Sequence, residues 1–469
     1  MKNFPFISMR EWIDHLSSVG LLVENDQPVK LRNDISALSK QIADKGGPAV
    51  LHTNVEGHPG WRLMHDGLTT KHKQAIALGI DEKNFCRNLA DKLARGPRIR
   101  PIEINNAPCQ EEVFTGADID LALLPAPTTT QFENPPYITA GIQHLKDPES
   151  EWVNMAIRRF QLKSSRSFCG LFAPYTHDGV IYQRYIDQGK SMPAAVVIGA
   201  DPVYFMLSQL STVPGESEIP LWGAITGEPL QIVKCLTNDL YVPAHAEIII
   251  EGTIDPTTRV FEGPFSEFPG YFSGCFSLPL FNVTAITMRS DPIYYYLCMG
   301  MEPGEGHELH SMVEAVTLSA IQEIIPELSD VSILSCGGFT TAMSVRKDRK
   351  RPGLVRQLAM AVKGHHVGRL IKNLFVCDDD IDVHNPAHVM WAMGSRFQGE
   401  RDILVINDVI GCVLDPSIPS LGRDSNLISC SIFDCTEPMA PYDEPYKRGL
   451  ALPDMTASAK EAYERILKK

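Results

Sequence analysis

Residues 262–272 read Glu-Gly-Pro-Phe-Ser-Glu-Phe-Pro-Gly-Tyr-Phe and place two carboxylates five positions apart, at Glu262 and Glu267. Gly263 and Pro264 break a helix, so this stretch is predicted to be a loop or the end of a strand. On a regular strand the odd spacing would put the carboxylates on opposite faces, but a Gly-Pro kink can return both to one site. Two carboxylates near each other or near aromatic rings titrate at different pH values, so one can donate a proton while the other stays ionised.

Aromatic residues follow the first carboxylate closely. Phe265, Phe268, Tyr271 and Phe272 are predicted to supply an apolar wall for the site. The alternative interpretation is a polar surface loop with aromatic anchors. For two glutamates at this spacing alone the surface loop is the commoner structure, so residues elsewhere in the chain have to decide.

Length and composition indicate a globular protein of two or three domains. The chain has 469 residues, of which 44% are hydrophobic and 21% charged, and is too long for one compact core. A net charge of −14 and a pI near 5.5 argue against nucleic acid or an anionic membrane as partner. The N-terminus has no apolar core and no run of eighteen apolar residues occurs, so we expect neither a secretory signal nor a membrane span. The eleven cysteines form no CxxC pair, which disfavours zinc or iron–sulfur centres and indicates a cytoplasmic protein.

Periodicity predicts the elements of the first part of the chain. Apolar residues at helical spacing predict helices over 9–24, 33–45 and 71–94. A proline-rich passage then indicates a linker, and we place a domain boundary near residue 105.

Beyond this boundary the residue pattern changes from helical periodicity to short β-rich runs. Short β-rich runs separated by turns extend from 119 to 300, including 281–288 and 293–297, and predict a barrel or sandwich. A helical pattern over 307–325 ends at Pro326. Alternating strand and helix patterns follow it and predict an α/β domain.

The stretch at 262–272 resembles the signature of the UbiD family, non-oxidative decarboxylases that use prenylated flavin mononucleotide (prenylated FMN). That family carries Glu-Gly-Pro-Phe-(Gly/Ser)-Glu followed by x-x-Gly-Tyr. The run from Asn154 to Arg159 resembles the family's Asn-x-x-x-x-Arg, and His177 and Glu218 match further family positions near the expected spacing. Any one of these matches is weak, but all of them in order are specific.

The resemblance implies roles for these residues. Asn154, His177 and Glu218 would hold a divalent metal, with Glu216 as a competitor for Glu218, and such donors suit Mn²⁺ or Mg²⁺. Arg159 and Glu262 would form a charged pair, and Glu267 would donate the proton. The resemblance also implies K⁺ as a further ion. The implied cofactor-binding positions are Asn154, Met155, Ala156, Ile157, Arg159, His177, Pro214 and Glu218.

The chain departs from the family pattern at two places. Several family members send a lysine from the C-terminal domain toward the cofactor, and the nearest counterpart here is Cys430. Some relatives carry Gly-Arg after the strand at 293–297, where this chain has Gly300-Met301 after Met299. The apolar replacement favours a monocarboxylic substrate.

The implied fold class is α/β (α+β) in four parts. An N-terminal α/β domain (1–105) precedes a split β-barrel domain that binds prenylated FMN (106–306). A connecting helix (307–326) leads to a C-terminal α/β domain (327–469) that mediates dimerisation.

The implied activity is reversible decarboxylation of an aromatic, heteroaromatic or α,β-unsaturated carboxylic acid, with CO₂ as the other product. A flavin prenyltransferase would supply the cofactor, and a homodimer or higher homo-oligomer is expected. The alternatives are a subunit of a multi-component carboxylase and a flavin-binding protein without decarboxylase activity. Bound cofactor in purified protein would discriminate them.

Overall fold

The structure is a computed structural model that describes residues 4–130, 133, 136–172, 176–210, 212–300, 304–335, 338–418, 427–439 and 456–467. The strands are β1 (Leu22–Asn25), β2 (Ala49–His52), β3 (Arg62–His65), β4 (Ile102–Glu103), β5 (Glu112–Thr115), β6 (Tyr137–Lys146), β7 (Val153–Ser164), β8 (Ser167–Gly170), β9 (Met192–Ile198), β10 (Gln231–Lys234), β11 (Tyr241–Pro243), β12 (Ile248–Glu262), β13 (Phe276–Met288), β14 (Ile293–Tyr295), β15 (Leu328–Ser335), β16 (Thr340–Val345), β17 (Asn373–Asp378), β18 (Ile403–Ile410) and β19 (Leu427–Asp434). The helices are α1 (Met9–Ser18), α2 (Asp34–Ala43), α3 (Lys71–Leu78), α4 (Phe85–Arg95), α5 (His177–Asp187), α6 (Pro202–Leu207), α7 (Ile219–Thr226), α8 (Glu305–Glu308), α9 (Ser311–Gln322), α10 (Leu354–Gly364), α11 (Pro386–Arg396), α12 (Gly399–Asp402) and α13 (Ala457–Leu467).

The N-terminal sheet has the strand order β1-β2-β3-β14. The prediction that 293–297 contributes to the barrel is wrong, because β14 runs parallel to β3 and pairs Ile293 with Arg62. The β14 side chains are all buried. A parallel partner so distant in the chain leaves no local signal, so the run of apolar residues predicted the strand but not its sheet.

Two predicted helices are shorter than their periodicity suggested. The predicted helix over 71–94 is two helices, because Gly79 adopts a left-handed conformation (φ +59°) and ends α3. A Cβ at Gly79 would lie 2.5 Å from the Phe4 ring, so the close approach of this ring also requires glycine. The helix predicted over 9–24 begins at the Ser8 cap and ends at Ser18.

The central part is a barrel in which the strands follow the order β12-β9-β6-β7-β8-β13 and close through pairing of β12 with β13. β5 adds to the outer edge of β13, and β4, β10 and β11 form a small separate sheet. Glu262 is the last residue of β12 and lies opposite Phe276, the first residue of β13. The loop 263–275 therefore connects the two strands that close the barrel.

The C-terminal sheet has the order β15-β16-β17-β19-β18, with helices in its connections. The connecting helix is α9, which buries an apolar face that includes Met312, Ala315 and Leu318. This mixed α/β architecture with a closed barrel confirms the predicted fold class. The domain boundaries at 105, 306 and 326 stay predictions. Among the described helices, none is both long enough and apolar enough to cross a membrane.

Candidate active site

A buried arginine on β7 joins the barrel to the loop 263–275. Arg159 donates from Nε and Nη2 to the two carboxylate oxygens of Glu262, at 2.9 Å each. Its Nη2 also donates to Ser273 Oγ at 3.3 Å. Glu262 is fully buried and Arg159 is 8% exposed. A two-point contact of this kind fixes the plane of the guanidinium group as well as its position.

Glu267 reaches the same arginine from the other end of the loop. Its carboxylate forms an ion pair with Arg159 Nη1, so Arg159 contacts both carboxylates of the motif. The Phe265 ring lies 5.0 Å from the guanidinium carbon, and Tyr137 packs against Phe265 at 4.6 Å between ring centroids. Burial, followed by the charge of Glu262, raises the pKa of Tyr137 well above its usual value. The structure thus brings Glu262 and Glu267 together on one cation.

The loop 263–275 folds back on itself. Gly263 has φ +104°, and a Cβ there would lie 2.5 Å from the carbonyl oxygen of Gly274. Backbone hydrogen bonds run from Glu267 N to Tyr271 O at 3.0 Å and from Ser273 N to Phe265 O at 2.8 Å. This hairpin-like turn holds the glutamate near the barrel while its tip faces solvent.

The predicted aromatic wall is correct in part. Phe265 and Phe268 line a cavity, and Phe268 packs against Phe339 with ring centroids 5.6 Å apart. Tyr271 and Phe272 are 63% and 44% exposed, so their assignment to the wall is wrong. The turn that secures the backbone of Glu267 directs these two rings outward.

The cavity beside Arg159 and Glu267 has a volume of about 320 Å³. Its apolar lining from the barrel side includes Ile157, Phe265, Leu297 and Met299. The C-terminal part contributes Arg369, Leu370, Cys412, Val413 and Leu414. The cavity therefore lies between the barrel and the C-terminal part, with charged groups at an otherwise largely apolar surface.

Two of the three predicted metal ligands, Asn154 and His177, contact each other near the start of β7, and the third, Glu218, contacts the residue after Asn154. The side-chain oxygen of Asn154 lies 3.2 Å from His177 Nδ1. Glu218 accepts hydrogen bonds from Met155 N at 3.1 Å and from Thr212 Oγ1 at 2.9 Å. Glu218 is fully buried, and burial raises its pKa to about 7. Glu216, the competing candidate, is exposed, so its side chain does not enter this cluster.

The donors present fit a divalent cation with an anionic ligand. An amide oxygen, an imidazole and a buried carboxylate are suited to Mn²⁺ or Mg²⁺. His177 is the first residue of α5, whose Thr176 cap accepts a hydrogen bond from Gly179 N, and a helix N-terminus favours a phosphate group. In the part of the chain that the structure describes, no group of three or more His, Cys, Asp or Glu side chains is arranged as a metal site. The proposed ligand set has only two such side chains, His177 and Glu218, and needs the amide oxygen of Asn154 as its third ligand.

The remaining predicted cofactor positions lie around this cluster. Met155 and Ala156 are buried on β7, and Ile157 reaches the cavity. Pro214 is exposed on the loop that precedes Glu218. Cys430 is buried on β19 and is not among the described residues that line the cavity.

Sequence reasoning missed several charged residues of this site. Asp178 is fully buried, forms a hydrogen bond with Asn154, and pairs with Arg158 at 2.6 Å. The sequence offered a signal for this ion pair, because Arg158 directly precedes Arg159 and Asp178 directly follows His177. Arg369 is the cation that the C-terminal part adds to the cavity, and no local pattern marks it.

Comparison with known proteins assigns the chain to a family. Models of the 3-octaprenyl-4-hydroxybenzoate carboxy-lyase family match it in three segments: the N-terminal domain at 13–93, the Rift-related domain at 100–302 and the C-terminal domain at 307–435. Together these segments span most of the chain.

Solved structures agree with this match. Vanillic acid decarboxylase of Sedimentibacter hydroxybenzoicus in its closed form is 26% identical, with 99% of each chain covered and a TM-score of 0.86. The apo 3,4-dihydroxybenzoic acid decarboxylase of Enterobacter cloacae is 27% identical, covering 98% of this chain and 100% of that one, with a TM-score of 0.85. An evolved dimeric form of the UbiD-class enzyme HmfF from Pelotomaculum thermopropionicum, in complex with prenylated FMN, is 26% identical over 97% and 99% of the two chains, with a TM-score of 0.83. The chain belongs to the UbiD family of carboxy-lyases.

Proposed function

We propose that this protein reversibly decarboxylates an aromatic, heteroaromatic or α,β-unsaturated carboxylic acid, using prenylated FMN and Mn²⁺ or Mg²⁺. The observation that carries the proposal is the contact of Arg159 with both Glu262 and Glu267 at the wall of the cavity. Relatives that act on vanillic acid and 3,4-dihydroxybenzoic acid support an acid of this class.

The cofactor would be held at the start of β7. Asn154, His177 and Glu218 would bind the metal, which in turn would bind the phosphate of the flavin, near the N-terminus of α5. When bound, prenylated FMN supplies the electron-accepting chemistry that allows a carboxylate to leave as CO₂.

The charges around Arg159 support Glu267 as the proton donor. Arg159 contacts both Glu262 and Glu267, so one guanidinium group serves two carboxyl groups. Glu262 holds the arginine through two hydrogen bonds and is the better partner for its charge. Glu267, which contacts Arg159 at a single nitrogen, is then the group that can transfer a proton.

In this scheme the protein's own residues bind, orient and protonate. The apolar lining of the cavity excludes water from the substrate. Arg159, at the wall of the cavity, orients the substrate's carboxylate. The bond from carbon to the carboxylate breaks, CO₂ leaves, and the bonding electron pair stays on the side of the carbon until a proton arrives. Glu267 transfers its proton to the carbon that lost CO₂, becomes a carboxylate and recovers a proton from solvent.

The cavity lining favours a substrate with a single carboxylate. Leu297, Met299 and Phe268 form an apolar surface on the side of the barrel. A second carboxylate placed against this surface would lose its hydration, whereas the cations of the lining are Arg158, Arg159 and Arg369.

We also propose that the protein works in the cytoplasm as a homodimer or higher homo-oligomer, with K⁺ as a further ion and a flavin prenyltransferase as its cofactor supplier. All ten cysteines of the described residues are unpaired thiols, as a reducing compartment favours. The dimeric form of a relative supports self-association.

Reconstitution tests this function. Protein made without a flavin prenyltransferase should be inactive. Prenylated FMN and Mn²⁺ added under reducing conditions, followed by oxidation, should restore CO₂ release and solvent H/D exchange over a panel of aromatic and unsaturated acids. Robust decarboxylation by flavin-free protein would contradict the proposal. Ordinary FMN alone after co-expression with the prenyltransferase would favour a plain flavin-binding protein.

A further inference from the structure

Glu133 is a buried carboxylate next to the loop 263–275 that the scheme above does not use. Its side chain is 1% exposed, and burial raises its pKa. In the described part of the chain, no lysine or arginine forms an ion pair with it. A buried carboxylate without a cationic partner is unfavourable unless hydrogen bonds stabilise it, so the bonds that it makes indicate what it does.

These bonds connect two loops. One carboxylate oxygen accepts from Thr129 N at 2.8 Å, and the other accepts from Ser266 N at 3.2 Å. Thr129 is itself fixed by a hydrogen bond of 3.1 Å between its Oγ1 and the hydroxyl of Tyr296, which is fully buried just beyond β14. Glu133 therefore ties Ser266 to a rigid part of the core.

Ser266 directly precedes Glu267, the proposed proton donor. The loop's own backbone hydrogen bonds join Glu267 to Tyr271 and Gly270, which both lie on the exposed tip of the turn. Among the described residues, the bond from Ser266 N to Glu133 connects the backbone at this point directly with a buried side chain outside the loop. The ends of the loop are held separately, because Arg159 bonds to Glu262 and to Ser273. Losing the bond to Glu133 would therefore let the backbone shift locally at Ser266, and the carboxyl group of Glu267 would shift with it.

We propose that Glu133 is a positioning residue for the proton transfer, which holds the backbone at Ser266 so that the carboxyl group of Glu267 stays beside Arg159. This inference rests on the proposed function, in which Glu267 is the acid. Glu133 itself donates no proton to the substrate.

The test uses the cofactor-loaded enzyme and the variant Glu133→Gln. Glutamine keeps the volume but has only one accepting oxygen, so one of the two backbone amides loses its acceptor. A small displacement of a reacting group is costly, so we expect kcat to fall about 10- to 100-fold with little change in KM. Cofactor occupancy should stay at the wild-type level, because the metal cluster is untouched.

Glu251→Gln is the matched control. Glu251 is fully buried and accepts from Leu236 N at 2.8 Å and Thr237 N at 2.7 Å, but it has no contact with the loop 263–275. This variant should lower the melting temperature and leave kcat at the wild-type value. A general effect of lost buried hydrogen bonds would impair both variants alike.

The double variant Glu133→Gln/Glu267→Gln separates positioning from an independent role. If Glu133 acts through Glu267, the double variant should be no slower than Glu267→Gln alone. Additive losses would overturn the inference. Wild-type turnover in Glu267→Gln would instead overturn the proposed acid, so the two failures are distinguishable.

Amide hydrogen exchange gives a readout that requires no substrate. Peptides that contain Ser266 should exchange faster in Glu133→Gln than in the wild type, and at the wild-type rate in Glu251→Gln. If Glu133→Gln does not fold, Glu133→Asp takes its place, because its shorter side chain cannot reach both amides. Unchanged exchange together with unchanged kcat in the folded variant would refute the inference.

Discussion

The proposal for Glu267 leads to a quantitative prediction for Glu267→Gln. Glutamine has nearly the same shape, and its oxygen can still face Arg159. The hydrogen bonds that fold the loop there, from Glu267 N to Tyr271 O and from Gly270 N to Glu267 O, are made by the backbone and survive the change. The substitution therefore removes the transferable proton and little else.

The expected loss of rate in Glu267→Gln follows from the proposed role of Glu267 as the general acid. Loss of a positioned general acid costs about 10²- to 10⁴-fold in rate, which corresponds to about 3 to 5 kcal/mol in the barrier. The proposed metal ligands near Asn154 lie elsewhere on β7, so cofactor occupancy should not change. We therefore expect a protein that is folded and loaded with cofactor, but slower by two to four orders of magnitude.

Three measurements form the assay. CO₂ release gives the rate, absorbance of the bound flavin gives the occupancy, and deuterium from solvent locates the proton at the former carboxyl carbon of the product. Glu216→Gln is the control, because its carboxylate is exposed on the loop before Glu218 and should not affect turnover.

Wild-type turnover in Glu267→Gln, with the flavin shown to be present, would refute the assignment. If the carboxylate takes no part in the proton transfer, the rate should change by less than a few-fold. Loss of the flavin together with loss of activity would show that Glu267 supports cofactor binding.

Three further predictions follow from the same structure. Glu262→Gln breaks the buried pair with Arg159 from one side, and should lower the unfolding free energy by up to about 3–5 kcal/mol and impair turnover, as chemical denaturation and CO₂ release would show. His177→Ala should reduce metal content and flavin occupancy, measured by mass spectrometry and absorbance, while circular dichroism stays unchanged; full occupancy would remove His177 from the metal site. Burial lowers the pKa of His144 from 6.5 to about 4, so the stability that it contributes is present above pH 6.5 and is lost as the pH falls toward 4, by about 3 kcal/mol at most. His144→Gln should flatten the plot of melting temperature against pH between pH 6.5 and 4. An unchanged slope would contradict the assignment of this pH dependence to His144.

The sequence alone determined much of this protein, because local rules act over short stretches. Gly263 and Pro264 exclude a helix, so the loop between the two glutamates followed from residue types. Apolar runs predicted the barrel strand at 281–288, and alternating strand and helix patterns predicted the C-terminal α/β part. The order and spacing of Asn154, Arg159 and the glutamates was enough to identify the family.

Only the tertiary structure decided which of these residues meet. Arg159 and Glu262 are 103 positions apart, and Glu133 and Ser266 are 133 apart, so no local pattern records either contact. The placement of β14 in the N-terminal sheet and the outward direction of Tyr271 likewise depend on strand pairing and on the closure of one loop. Periodicity reports which side of an element is apolar, but the partner that covers that side is chosen by packing across the whole chain.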